Sequence, residues 1–122
     1  MPTTVVIVDD YAGFRTVARA VLEGDGFEVV GEAHDAASAL AEIERLRPEL
    51  VLLDVRLPGT GGLELAELLA AQEDPPVIVL VSSREAAEYG GRLRQTPARG
   101  FIPKRELSGK RVTALLEGSN GD

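Results

Sequence analysis

Leu50-Val51-Leu52-Leu53-Asp54, followed by Leu57-Pro58-Gly59-Thr60-Gly61-Gly62 and then Leu65, Leu68 and Leu69, is the stretch on which the fold turns. An apolar run of this length closed by an acid suits a strand buried on both faces, as in a parallel sheet. The proline and glycines break the chain, and leucines at helical spacing follow. Outward from this unit the same alternation recurs. Thr4 to Asp9 reads as a first strand, with Phe14, Val17, Ala18, Val21 and Leu22 forming the apolar stripe of a helix that ends at Gly24 and Gly26. Phe27 to Gly31 reads as a second strand before a helix carrying Ala36, Ala39, Leu40 and Ile43, N-capped by Asp35 and followed by Pro48. Val77 to Val81 is the fourth strand. Tyr89-Gly90-Gly91 interrupts the fourth helix, since glycine in a helix costs about 1 kcal/mol, and this predicts a short one. Gly100 to Ile102 gives a brief fifth strand, and Leu107, Val112, Leu115 and Leu116 give a last helix.

Strands alternating with helices predict an α/β fold, a doubly wound five-stranded parallel sheet with helices on both faces. The first, third and fourth strands are continuously apolar and belong inside it. Phe27-Glu28-Val29 alternates and the fifth strand carries Pro103, which cannot donate to a ladder, so these two belong at edges. The order 2-1-3-4-5, flavodoxin-like, meets these demands, and ligands in such sheets sit at the carboxyl ends of the strands.

The residues at those ends are Asp9 and Asp10, Asp54, Ser82 and Lys104. Carboxylates of neighbouring strands, about 4.8 Å apart, repel one another unless a cation intervenes. An all-oxygen set suits a hard ion, most plausibly Mg²⁺. Asp54, in the central strand, is placed to act as a nucleophile toward phosphorus. The metal and the Lys104 ammonium would neutralise charge on the transferring group, and Ser82 would hydrogen-bond it afterwards. Singly, each residue has a plainer reading as a helix cap or a solvated charge; together they do not.

Asp9-Asp10 after an apolar strand, Asp54 with Pro58 four and Gly62 eight residues later, Ser82 closing the fourth strand, and Phe101 three residues before Lys104 together resemble response-regulator receiver domains of two-component signal transduction. The resemblance spans roughly Thr3 to Glu117. It implies that a histidine kinase phosphorylates Asp54, that Asp9, Asp10, Asp54 and the backbone carbonyl of Arg56 help bind Mg²⁺, that Lys104 holds the phosphoryl group, and that Ser82 and Phe101 form the switch. It further implies a signalling switch that catalyses only its own phosphoryl transfer and dephosphorylation. One departure from the family pattern is that proline precedes the lysine, as Pro103, and Arg105 follows it.

Composition limits the alternatives. The 122 residues suffice for one domain, read as a receiver over residues 1–117 with a flexible polar tail at 118–122. No cysteine is present, so disulfides and thiolate metal sites are excluded, and the cytoplasm is the expected location. No apolar run approaches the roughly 20 residues of a membrane span. The net charge of −7 argues against direct binding to nucleic acid. Residues 1–83 hold 5 basic and 15 acidic side chains and residues 84–122 hold 8 and 5, so the last third is net basic. Arg92, Arg94, Arg99, Arg105, Lys110 and Arg111 there fall on the fourth helix, fifth strand and fifth helix, which the resemblance implies form the face that changes on phosphorylation, and their charge predicts that this face meets an acidic partner protein or a second copy. Gly59-Thr60-Gly61-Gly62 is not a dinucleotide loop, since Glu64 stands where a third glycine is needed. A hydrolase of the aspartyl-phosphate kind would carry a second acid where Arg56 stands, and a degenerate receiver binding partners without phosphorylation would lack some of the five polar positions; neither fits as well.

Overall fold

The structure, a computed structural model, describes residues 1–118. The expected polar tail lies, from residue 119 onward, outside the described residues. Five parallel strands, β1 (Thr4–Val8), β2 (Glu28–Ala33), β3 (Leu50–Asp54), β4 (Val77–Ser82) and β5 (Gly100–Pro103), pair in the order β2-β1-β3-β4-β5. The order and the two edges match the expectation from strand composition. Four helices, α1 (Ala12–Gly24), α2 (Ala36–Leu46), α3 (Gly62–Ala70) and α5 (Gly109–Gly118), join or flank the strands, together with a single-turn α4 (Arg92–Gln95).

Alternation along the central strands builds two cores. Val5, Ile7, Leu50, Leu52, Val79 and Val81 face α1 and α5, where Phe14, Ala18, Leu22 and Val112 meet them. Val6, Val8, Val51, Leu53, Ile78 and Leu80 face α2 and α3, against Ala39, Ile43, Leu65, Ala66 and Leu69. Burying both faces is what makes these strands continuously apolar rather than alternating.

The helix ends follow local chemistry. Asp35 accepts a hydrogen bond from the Ser38 amide at 2.8 Å, an N-cap that satisfies a free helix donor and holds the Asp35 carboxyl below its ordinary value. The free amide of Gly109, opening α5, donates to Asp25 Oδ2 at 2.7 Å and so ties the end of α1 to the start of α5. Two apolar residues of the expected stripes are not core: Val17 is 57% exposed and Leu68 51%. Helical spacing marks a face wider than the stripe that the sheet covers, and residues at its margin stay in water.

After β4 the chain makes a 3₁₀ turn (Ala86–Tyr89), passes Gly90-Gly91, and forms only the four residues of α4. The glycine pair thus divides the expected helix rather than weakening a continuous one. Arg99 precedes β5 instead of lying in a helix, and its amide donates to Ile78 O at 2.7 Å.

Candidate functional site

Strand alternation decides which groups meet at the carboxyl rim. Asp9 continues the parity of Val5 and Ile7, and Asp54 that of Leu50 and Leu52, so both fall on the α1–α5 side of the sheet. One carboxylate oxygen from each of Asp9, Asp10 and Asp54 lies within 4.8 Å of the others. Asp9 is fully buried and Asp54 nearly so, while Asp10 is exposed. The ends of both buried acids are held by the backbone: the Tyr11 amide donates to Asp9 Oδ1 at 2.9 Å and the Arg56 amide to Asp54 Oδ1 at 3.0 Å.

Lys104 closes the site from β5. Its Nζ is 2.7 Å from Asp9 Oδ2 and 3.6 Å from Asp54 Oδ2, and it rests 4.5 Å from the centroid of the Phe14 ring. The short contact to Asp9 is an ion pair rather than a well-directed hydrogen bond, for Asp9 Oδ2 is buried and accepts none. Burial pushes the Asp54 carboxyl above its ordinary value; the Arg56 amide and the Lys104 charge oppose this, while Asp9 and Asp10 add to it.

Three gathered carboxylate oxygens, one of them buried without a hydrogen bond, and a single ammonium leave the group with excess negative charge. This donor set fits a small hard cation that takes oxygen ligands. An open pocket over the acids is lined by Asp10, Asp54, Arg56, Arg84 and Lys104, and on its far wall by Tyr11, Phe14 and Val17. Val17 thus serves the pocket and not the core.

Arg15, held in place by Glu32, fixes the Asp9-Asp10 turn. Arg15 Nη1 donates to the Asp9 carbonyl at 2.6 Å while its Nε reaches Glu32 Oε1 at 3.1 Å, and Arg19 Nε reaches Glu32 Oε2 at 2.8 Å. Burial pushes the Glu32 carboxyl up, but hydrogen bonds and charge from Arg19 and Arg15 outweigh it and hold the group below its ordinary value.

Ser82 is placed differently from the acids. It shares the parity of Ile78 and Leu80, is fully buried, and does not line the pocket, where Ser83 and Arg84 stand instead. Its Oγ accepts from the Arg84 amide at 3.0 Å and is 2.5 Å from the hydroxyl of Tyr89. The Tyr89 ring, 9% exposed, meets the half-buried Phe101 edge-on with centroids 6.1 Å apart. Tyr89 carried no signal in the sequence beyond being an aromatic residue beside two glycines.

In the basic segment from Arg84 onward, several side chains are engaged within the domain. Arg99 Nη1 donates to Leu116 O at 3.1 Å, Arg111 pairs with Glu106 at 2.9 Å, and Arg105 pairs with Glu85. Arg92, Arg94 and Lys110 form no ion pair among the described residues.

Comparison with known proteins gives a consistent result. A family profile described as the response regulator receiver domain matches residues 5–116. The response regulator GacA of Pseudomonas viridiflava is 36% identical over 101 residues, covering 82% of this chain and 47% of that protein. The DNA-binding transcriptional activator EvgA of Escherichia coli K12 is 28% identical over 116 residues, covering 95% and 57%. The chain therefore spans about half the length of the curated relatives it matches. Among solved structures, the signal receiver domain of NarL from Mycobacterium tuberculosis superposes with a TM-score of 0.81 at 34% identity, covering 99% of this chain and 98% of that one. A CheY-like receiver domain protein from Methanospirillum hungatei gives 0.79 at 26% identity with complete coverage of both chains. Among the described residues no helix is long and apolar enough to cross a membrane.

Proposed function

The chain belongs to the response regulator receiver domain family, and from that premise we propose that Asp54 accepts a phosphoryl group from a histidine kinase with the help of Mg²⁺, converting it into a change of protein-binding surface. The observation that carries this reading is the grouping of Asp9, Asp10 and Asp54 with the Lys104 ammonium against two of them.

Asp54 is the nucleophile. Its Oδ1 is tied to the Arg56 amide, leaving Oδ2 for attack, and burial that disfavours the bare carboxylate makes it readier to bond to phosphorus. Asp9, Asp10 and Asp54 would hold Mg²⁺, with the Arg56 carbonyl as a further oxygen ligand. The ion supplies positive charge against the phosphoryl oxygens as they are transferred. Lys104, within 3.6 Å of Asp54 Oδ2, adds a second cation to the same oxygens. Ser82 and Phe101 then carry the change outward from the acids. The domain works in the cytoplasm, where a kinase and Mg²⁺ are at hand.

Relatives of this chain include a DNA-binding activator by name. A domain of charge −7 repels DNA, so its own output is a protein surface, a partner or a second copy. The face formed by α4, β5 and α5 is the candidate, with Arg92, Arg94 and Lys110 as its uncommitted charges. Acetyl phosphate with Mg²⁺ should add one phosphoryl group to the wild type and none to Asp54→Asn. Equal labelling of the two would overturn the assignment, and a wild type that binds a partner equally well with and without phosphoryl donor would favour a receiver that works unphosphorylated.

A further inference from the structure

Ser82 closes β4, the strand beside that of Asp54, and on the reading above it hydrogen-bonds the phosphoryl group, yet its hydrogen bonds are already made elsewhere. A serine hydroxyl has one proton and two lone pairs. The Arg84 amide takes one lone pair, and the contact of 2.5 Å with Tyr89 takes either the other lone pair or the proton itself. The residue is fully buried and turned to the α2–α3 face, away from the pocket over the acids.

We propose that Tyr89 is a latch that holds Ser82 in the resting position, so that phosphorylation of Asp54 must break the Ser82–Tyr89 hydrogen bond before Ser82 can donate to a phosphoryl oxygen. This inference rests on the phosphoacceptor reading above. Ser82 Oγ is turned away from the pocket, so donating to a phosphoryl oxygen means leaving Tyr89 whichever of the two hydroxyls is the donor, and where Ser82 is the donor the phosphoryl oxygens also compete for its single proton. Once Ser82 leaves, the Tyr89 hydroxyl is a buried polar group without a partner, which is unfavourable enough to drive it toward water.

Two neighbours convert that departure into a change of surface. Tyr89 ends the 3₁₀ turn Ala86–Tyr89, directly before Gly90-Gly91 and α4, so its withdrawal moves the backbone that carries Arg92 and Arg94. Its ring also occupies the space beside Phe101, with ring planes 61° apart. Phe101 can move inward only when that ring has gone. The three side chains thus form one chain of contact, Ser82 to Tyr89 to Phe101, in which the middle member sets the resting state.

The test is Tyr89→Phe, which removes the hydroxyl and keeps the ring. Beryllofluoride with Mg²⁺ serves as the probe for a phosphoryl group on Asp54. Relieved of the latch, the variant should bind beryllofluoride about fivefold more tightly than wild type, the weight of one net hydrogen bond. Its ligand-free melting temperature should meanwhile fall, a sign opposite to the gain in affinity that a merely structural role would not produce. In a Ser82→Ala background, adding Tyr89→Phe should leave the affinity unchanged. If the wild type binds beryllofluoride and Tyr89→Phe binds it no better, the latch is refuted while the phosphoacceptor reading stands. A wild type that takes up neither beryllofluoride nor a phosphoryl group overturns both.

Discussion

Lys104 Nζ lies 2.7 Å from Oδ2 of Asp9, and that oxygen is buried with no hydrogen bond to share the charge. A cation entering the acidic group therefore competes with the ammonium for Asp9. Lys104→Met should leave the carboxylates without their counter-charge and destabilise the metal-free protein by about 3 kcal/mol, the low end for breaking a buried pair because the lysine is partly solvated. Urea denaturation measures this. The same variant should bind Mg²⁺ more tightly by calorimetric titration, while taking a phosphoryl group more slowly. Weaker Mg²⁺ binding would show that Lys104 orders the acids instead of competing for them.

Gly62 stands where no side chain fits: a Cβ there would lie 2.0 Å from the carbonyl oxygen of Asp54 and 2.8 Å from Cα of Val55. The close approach lets the Gly62 amide bond Val55 O at 2.9 Å and start α3 directly beside Asp54. Gly62→Ala should cost about 3 kcal/mol or more, beyond the usual overpacking penalty because the neighbour is backbone and cannot rotate away. It should also lower Mg²⁺ affinity, since Asp54 must shift. Thermal melts and metal titration of this variant, beside Gly61→Ala as a control whose added Cβ meets only Val55 O at an ordinary 3.9 Å, would decide the point.

Glu32 gives the domain a pH-dependent component. Its carboxyl is held below the ordinary value of 4.5 by Arg19 and Arg15, so the stability it contributes is present above that value and is lost as pH falls through its lower, folded-state value. Glu32→Gln should therefore destabilise by about 1 kcal/mol at pH 7, an amount discounted for partial exposure, and by less at pH 3. Because Arg15 joins Glu32 to the Asp9 carbonyl, Mg²⁺ affinity should drop as well. Denaturant curves at the two pH values, with metal titration at the higher one, test both parts.

Much of this architecture was legible in the sequence because burial on two faces leaves a strand with no polar residue until it emerges at the rim. That is why Leu50 to Asp54 was bounded correctly, and why its last residue marked the site. Edge strands were recognisable from Glu28 and Pro103 for the same reason in reverse. What could not be read depends on packing between segments distant in sequence. Val17 fits the helical period of Phe14 and Ala18, but only the position of Lys104 and Asp10 makes it a pocket wall. Tyr89 lies in a segment without period, and its bond to Ser82 exists because a 3₁₀ turn folds back over the end of β4. The pairing of Arg105 with Glu85 and the tie of Arg99 to the end of α5 were equally hidden, since charge counts do not tell engaged guanidinium groups from free ones.

That distinction narrows the output face. Reversing Arg92 and Arg94 to glutamate should weaken association of the phosphorylated domain with an acidic partner, or with a second copy, by about tenfold at low salt and by much less at high salt, as screened surface charges require. Reversing Arg99 should instead lower stability, because it removes hydrogen bonds to the last carbonyls of α5. Sedimentation at two ionic strengths and a thermal melt separate the effects. Unchanged association of the Arg92/Arg94 variant would place the output surface elsewhere.

The four-residue α4 fully buries none of its side chains, with only Leu93 packed partly against the core, and so short a helix has no stability of its own in water. Its order is borrowed from Tyr89 and from the loop ends. In hydrogen-exchange terms, the amides of residues 86–95 open with far smaller free energies than those of β1, β3 and β4, which open only with the whole domain. On the switch reading proposed above, the rate at which this surface changes shape would therefore be set locally, by one turn of backbone, and not by the lifetime of the sheet. Substitutions that weaken the core would reduce how much folded protein a cell holds, yet each surviving molecule would still respond on the same timescale.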